Sequence, residues 1–253
     1  MKKEIRIFLT AVMFYTRIPC PAWVDHSAEY LQESSRYLPL VGIVVGIIGA
    51  ITYLVSLLVF PKAIALLFSM IATIAVTGAL HEDGLSDVCD GFGAGWTKED
   101  VLRIMKDSRT GIYGVIGLLS ILSLKFTTLY FINPSLVPLV LIAGHALSRF
   151  ASATLLYTHE YVRPDADSKV KSAAKKMSPG SLFIAAVFGI APLFFFNKSI
   201  VFLILIPVLI VRWYVGYMFR KRIGGQTGDC AGATQQICEV VFYLSLLVLW
   251  KYI

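Results

Sequence analysis

The residues best suited to chemistry stand together in the run His81–Glu82–Asp83–Gly84–Leu85–Ser86–Asp87–Val88–Cys89–Asp90–Gly91, directly after a long apolar stretch. Its three aspartates fall at spacings of four and three residues. If the helix predicted for the preceding stretch continues through them, Asp83, Asp87 and Asp90 lie at about 0°, 40° and −20° around its axis, on one face. Carboxylates so placed repel one another and raise each other's pKa unless a cation joins them. Hard oxygen ligands of this kind suit Mg²⁺, Mn²⁺ or Ca²⁺. The competing reading is a solvated acidic loop beside a membrane; the helical register and the bracketing glycines weigh against it.

Other polar groups fall into two sets. Lys106–Asp107–Ser108–Arg109 ends a predicted interfacial helix, and Gly224–Gly225–Gln226–Thr227–Gly228–Asp229 sits in a predicted loop. The second of these is either a glycine-rich turn able to cradle a phosphate or a tight turn capped by Asp229. Lys125, Arg149, Arg212 and Glu239 instead fall inside apolar runs, where an ionised side chain costs on the order of 3 kcal/mol. Lys125 and Arg149 are candidates for a polar cavity, and Arg212 is expected to snorkel towards a polar loop or to act as an anchor. Glu239 is expected to pair with Lys125, with Arg149 or with a metal shell. His145 reads as a hydrogen-bonded packing residue. Carboxylates beside Lys and Arg are what phosphoryl chemistry needs: cations neutralise phosphate oxygens and a base activates a nucleophile.

The elements that position these groups are membrane helices. Of 253 residues, 57% are hydrophobic and 15% charged, and the mean hydropathy is +0.73. At about 20 apolar residues per crossing there is no room for a sizeable soluble domain. The fold class expected is all-α: a polytopic transmembrane bundle of about seven spans with a short interfacial helix. It forms one domain over 1–253, with polar site loops at about 81–111 and 220–232. The spans are predicted at about 37–60, 63–80, 112–132, 135–157, 181–196, 200–219 and 233–252. Gly42, Gly46 and Gly49 share one side of the first span, as close helix approach requires. The glycines of 91–95 are expected to break the acidic helix. Thr97, with Asp100 three residues on, predicts the start of an interfacial helix over 98–109. The N-terminal stretch reads as an uncleaved amphipathic segment.

Lys and Arg number five, four, five and three in the N-terminal segment, the acidic loop, 158–180 and 220–229, against one, none and one in the alternate connections. This places the first set in the cytoplasm, so both polar motifs share that side. The net charge of +7 therefore follows membrane topology, and the absence of a basic stripe interleaved with aromatics argues against nucleic acid. Cys20, Cys89, Cys230 and Cys238 form no metal or disulfide pattern and are expected to be reduced thiols.

Taken in order, the acidic run, Met105–Lys106–Asp107–Ser108–Arg109 with Gly111, and Gly224–Asp229 with Gly232–Ala233 and Glu239 resemble the cobalamin synthase family, the adenosylcobinamide-GDP ribazoletransferases. Phe14–Tyr15–Thr16–Arg17–Ile18–Pro19 fits as well, while Cys89 and Ala231 depart from the residues expected there. The resemblance spans about residues 8 to 245. It implies a Mg²⁺-dependent enzyme of the bacterial cytoplasmic membrane that joins α-ribazole, or its 5′-phosphate, to adenosylcobinamide-GDP with release of GMP. On this basis Asp83, Asp87 and Asp90 are the expected metal ligands, with Asp229 completing the shell or positioning the nucleotide. Lys106 and Arg109 are the expected phosphate contacts. Lys125, Arg149, Gly225, Thr227 and Glu239 complete the expected substrate-binding set, and the general base lies among Glu82, Asp107 and His81. The partners are the two substrates and the lipid bilayer, with a homo-oligomer also compatible.

Two other functions compete. Asp87–Val88–Cys89–Asp90–Gly91 echoes the start of the CDP-alcohol phosphotransferase motif, but that motif's second aspartate pair is missing. A divalent-cation transporter would place its carboxylates near mid-membrane on interrupted helices, rather than at the end of a span.

Overall fold

The computed structural model describes residues 2–24, 27–163 and 177–250. Lys169, Lys171, Lys175 and Lys176 of the basic loop lie outside the described residues. The described chain is helical: α1 (Lys2–Tyr15), α2 (Ala28–Ser34), α3 (Leu38–Leu57), α4 (Lys62–Thr77), α5 (Leu80–Ala94), α6 (Lys98–Ile104), α7 (Ile112–Phe131), α8 (Val137–Thr158), α9 (Pro179–Ile190), α10 (Leu205–Ile223) and α11 (Gly228–Trp250). Short 3₁₀ turns join α2 to α3 and lie between α9 and α10.

Each predicted span corresponds to a helix. Five segments are long and apolar enough to cross a membrane: 28–57, α7, α8, 199–223 and α11. A sixth is the pair α4 and α5, bent by 87° at their junction, and the apolar helix over 179–195 is shorter than the rest. The outer helices present bare apolar side chains, among them Leu58, Val59, Phe183, Phe195 and Trp213. A surface of this kind is stable against lipid tails and not against water. Polar residues gather instead along α8 and α11, the two most enclosed long helices.

Close packing at α8 depends on the glycines of α3. A Cβ on Gly42 would collide with the carbonyl oxygen of His145, and one on Gly46 would lie 2.6 Å from Ile142 Cα. Gly49 faces α4 instead, where Ser69 Oγ donates to the Gly49 carbonyl at 2.8 Å. Arg212 is buried and takes the anchoring one of its two expected roles. Its Nη2 donates to Thr154 O at 2.5 Å and also to Thr158 Oγ1, tying α10 to the end of α8.

The acidic helix is a separate element, not a continuation of the second span. Gly78 and Ala79 both adopt the left-handed conformation, with φ of 64° and 59°, and Ala79 N–H closes α4 by donating to Ile74 O at 2.9 Å. Two consecutive left-handed residues end one helix and restart the chain in a new direction. The segment after α1 braces this corner: Arg17 N–H donates to Val76 O at 2.7 Å, and the Arg17 side chain lies where a Cβ on Gly78 would be. α4 and α5 thus meet at a sharp corner, a span broken at Gly78–Ala79. Gly91 and Gly93 stay helical, contrary to the expected break; Gly91 receives the Met105 side chain, and Gly93 sits against the Tyr113 ring. The interfacial helix begins as predicted, with Asp100 N–H donating to Thr97 Oγ1 at 3.1 Å. It stops at Ile104, short of the predicted Arg109, because the chain turns there: Asp107 Oδ1 accepts the Arg109 N–H at 3.0 Å.

Candidate active site

Two polar motifs far apart in sequence meet where α5 crosses the start of α11. Gly84 permits the crossing, since a Cβ there would stand 2.9 Å from both the Cα and the carbonyl oxygen of Asp229. On the other side, a Cβ on Gly232 would be 3.2 Å from His81 Cα. Asp83 and Asp87, one turn apart on α5, therefore face the first turn of α11, where Asp229 lies. Burial, then Asp229 and then Asp83 push the Asp87 carboxyl up to about 7, with Arg163 opposing them. Asp83 and Asp87 accept no hydrogen bond from the described residues.

Arg163 joins this group through backbone pairing. Gln226 N–H donates to Glu160 O at 2.9 Å and Val162 N–H to Gln226 O at 3.0 Å, a short parallel bridge. Gly225 makes it possible, because a side chain there would strike the Glu160 carbonyl. The bridge leaves Arg163 with Nη2 at 2.5 Å from Asp229 Oδ2 and at 3.1 Å from Met105 O. Sequence reasoning counted Arg163 only as one basic residue of a loop. Nothing local marks it out, since its role comes from a pairing across 60-odd positions of sequence.

Several expected site residues have other tasks. Asp90 is on the predicted face but caps α7: its Oδ2 accepts Gly111 N–H at 2.7 Å and its Oδ1 accepts Gly114 N–H at 2.8 Å. Both oxygens are thus engaged by the positive end of a helix, which removes Asp90 from the open carboxylates. Gly225 and Thr227 serve the turn itself. Thr227 is fully buried and its Oγ1 accepts Cys230 N–H at 3.3 Å, so it caps α11 and presents no face to a phosphate. Arg109 is exposed and paired at 2.6 Å with Asp107; that side chain and then the Arg109 N–H push the Asp107 carboxyl down to about 2. Lys106 is exposed on the same turn.

Lys125, Arg149, Glu239 and Glu82 converge, but in the protein interior. Lys125 Nζ lies 3.1 Å from Glu239 Oε1 and donates to Gln236 Oε1 at 2.9 Å. Gln236 Nε2 in turn donates to Glu82 Oε1 at 2.9 Å. Glu239 also accepts from Gln235 Nε2 at 2.6 Å and Tyr243 Oη at 2.9 Å. His145 Nδ1 stands 3.5 Å from Glu239 Oε2 and 3.0 Å from Arg149 Nη1. Two carboxyl groups and two basic side chains share this volume, so their formal charges cancel. The network stitches α7, α8 and α11 to the root of α5 and thereby seats the aspartates.

His81 is different from Glu82: it lines a cleft of about 120 Å³ that opens beside Asp83 and Asp229, with Phe14, Tyr15, Leu38 and Leu156 among its apolar walls.

A family model described as cobalamin-5-phosphate synthase matches residues 7–247. An adenosylcobinamide-GDP ribazoletransferase of Shewanella frigidimarina (strain NCIMB 400) is 44% identical over 248 residues, covering 97% of this chain and 95% of that protein. One of Shewanella piezotolerans (strain WP3 / JCM 13877) is 44% identical over 250 residues, covering 98% and 96%. No solved structure matches the chain. Because the match runs through all the motifs that the fold brings together, the chain belongs to the cobalamin-5-phosphate synthase family.

Proposed function

We propose that this chain is an adenosylcobinamide-GDP ribazoletransferase acting on the cytoplasmic face of the bacterial inner membrane. The ribose hydroxyl of α-ribazole, or of its 5′-phosphate, forms a bond to the cobinamide-side phosphorus of adenosylcobinamide-GDP. The bond from that phosphorus to the bridging oxygen breaks, GMP departs with the electron pair, and the hydroxyl proton passes to a base. The observation that carries the reading is the meeting of Asp83 and Asp87 with Asp229 and Arg163 at one cleft, in a chain of this family. The family match supports an enzyme over a transporter; the 87° break before the carboxylates is a feature that both readings share.

The donor set suits a hard divalent cation, for which we propose Mg²⁺ held by Asp83, Asp87 and Asp229. Among the described residues no three His, Cys, Asp or Glu side chains are already gathered to hold an ion. Mg²⁺ commonly takes one or two carboxylates and fills its octahedron with water and substrate phosphate oxygens, so the three carboxylates need not bind it together. Bound there, it would neutralise charge on the diphosphate. Arg163 supplies a fixed guanidinium at the same place, suited to phosphate oxygens. Of the three side chains weighed as base, His81 is the one on the cleft; Glu82 points into the interior network and Asp107 is held by Arg109.

Purified protein in detergent, given Mg²⁺, adenosylcobinamide-GDP and α-ribazole, is expected to release GMP. EDTA should stop the release and excess Mg²⁺ restore it. Absence of GMP here, with turnover of a CDP-activated lipid or metal flux in vesicles, would overturn the reading. Gly84→Ala is expected to cut turnover about 100-fold, since backbone atoms of α11 must retreat and an error near 1 Å suffices for such a loss. Equal turnover by monodisperse Gly84→Ala protein would show that the crossing does not set the site.

A further inference from the structure

The cleft beside the aspartates has a character of its own. Its walls come from five helices: Phe14 and Tyr15 from α1, Leu38 from α3, Leu80 from α5, Leu156 from α8 and Ala231 from α11. Asp83, Asp229 and His81 are the ionisable side chains of its lining apart from Tyr15. His81 is only 5% exposed, yet its imidazole has no hydrogen-bond partner among the described residues. Ser152 in the same lining already donates to Ala231 O at 2.8 Å, while the Tyr15 hydroxyl, like the imidazole, has no hydrogen-bond partner among the described residues. The cavity therefore offers aromatic and aliphatic walls, two unanswered polar groups, and the carboxylates.

Resting on the reading above, we propose that this cleft seats the acceptor: the bicyclic aromatic base of α-ribazole lies between the α1 aromatics and Leu156, and its ribose reaches towards Asp83 and Asp229. Size and polarity both select this occupant. An enclosed volume of about 120 Å³ admits a flat bicyclic base with its ribose outside, whereas a corrinoid with its peripheral amides is several times larger. Guanine has hydrogen-bonding groups along most of its edge, and apolar walls would leave them unpaired at a cost of about 1–3 kcal/mol each. A benzimidazole ring exposes mainly carbon and loses nothing there. The donor's corrin and guanosine then stay outside the cleft, with only the diphosphate reaching the carboxylates. The α1 segment gains a function from this arrangement: it is the aromatic wall of the acceptor seat, and the residues after it brace the 78–79 corner.

The test is steady-state kinetics on the full-length protein, varying each substrate in turn. Phe14→Ala is expected to raise KM for α-ribazole at least 10-fold while leaving KM for adenosylcobinamide-GDP within about twofold. Leu80→Trp alters a half-exposed residue at the mouth, so folding is spared even if Phe14→Ala is unstable. It should narrow the cleft, raise KM for α-ribazole, and give back most of the loss when the riboside of unmethylated benzimidazole is the acceptor. A rise in KM for adenosylcobinamide-GDP instead would make the cleft a donor site. Unchanged constants for both substrates in both variants would mark it as a lipid-filled groove. Either result overturns the inference while the wild-type activity stands; loss of wild-type GMP release would remove the activity and the acceptor seat together.

Discussion

Asp87→Asn should lower GMP release about 1,000-fold or more while the protein stays as stable as the wild type or becomes more so. The two halves of this expectation have one cause. Asp87 is partly buried beside Asp83 and Asp229, has no partner among the described residues, and its carboxyl is pushed up to about 7 by burial first and the neighbouring carboxylates second. Its charge is therefore a load on the folded chain, and the isosteric amide removes that load without opening a void. In the proposed reaction that same charge helps to hold Mg²⁺ against the diphosphate. An amide oxygen is a weaker, neutral ligand, and a loss of 1,000-fold corresponds to about 4 kcal/mol of transition-state stabilisation. Thermal inactivation in detergent and GMP release at saturating substrates, measured on the same preparation, check both halves. Full activity at limiting Mg²⁺ would remove Asp87 from the metal set. Equal loss of activity and of stability would make it a structural residue. The combination of lower activity with undiminished stability is the mark of a site kept strained for function.

How far the sequence discloses this arrangement depends on the range of the forces involved. The spans are legible because lipid imposes a length and an apolar composition on each, and every predicted span lies on a helix. The Thr97 cap is legible because its hydrogen bond reaches only to Asp100. The same local reasoning fails at Gly91 and Gly93, where glycine serves to admit Met105 and Tyr113 rather than to end a helix. It fails at Gly78–Ala79 for a similar reason: nothing but a lone glycine marks a corner that turns the chain by 87°. Asp90 shares the face its spacing gives it, but the arrival of α7 converts it to a cap. Arg163 is the extreme case, placed by strand-like pairing with 226 that no helical periodicity could reveal. In contrast, the cost of burying charge did point forward. Lys125 and Glu239 each needed a partner, and the fold gives them to each other.

Glu239→Leu should be among the most destabilising single changes in this protein. It would leave the Lys125 ammonium, 7% exposed as a side chain, with Gln236 Oε1 as its remaining partner, and would strip acceptors from Gln235 Nε2 and Tyr243 Oη. Breaking one side of a buried ion pair costs about 3–5 kcal/mol, which for a chain of this size lowers the thermal midpoint on the order of 10 °C. Lys125→Met combined with Glu239→Leu removes the unpaired charge and should recover about half of the loss. Recovery stops short because the Tyr243 hydroxyl stays without its acceptor, a cost of about 1–3 kcal/mol, whereas Gln235 keeps Ser148 Oγ at 2.9 Å. Turnover should follow stability in both variants. The route is explicit: Lys125 holds Gln236, Gln236 holds Glu82, and Glu82 is the residue before Asp83. Thermal scans in detergent with a GMP-release assay give the comparison. A double variant as unstable as the single one would show that packing, not charge balance, governs this core. A stable single variant without activity would return Glu239 to the substrate-binding set.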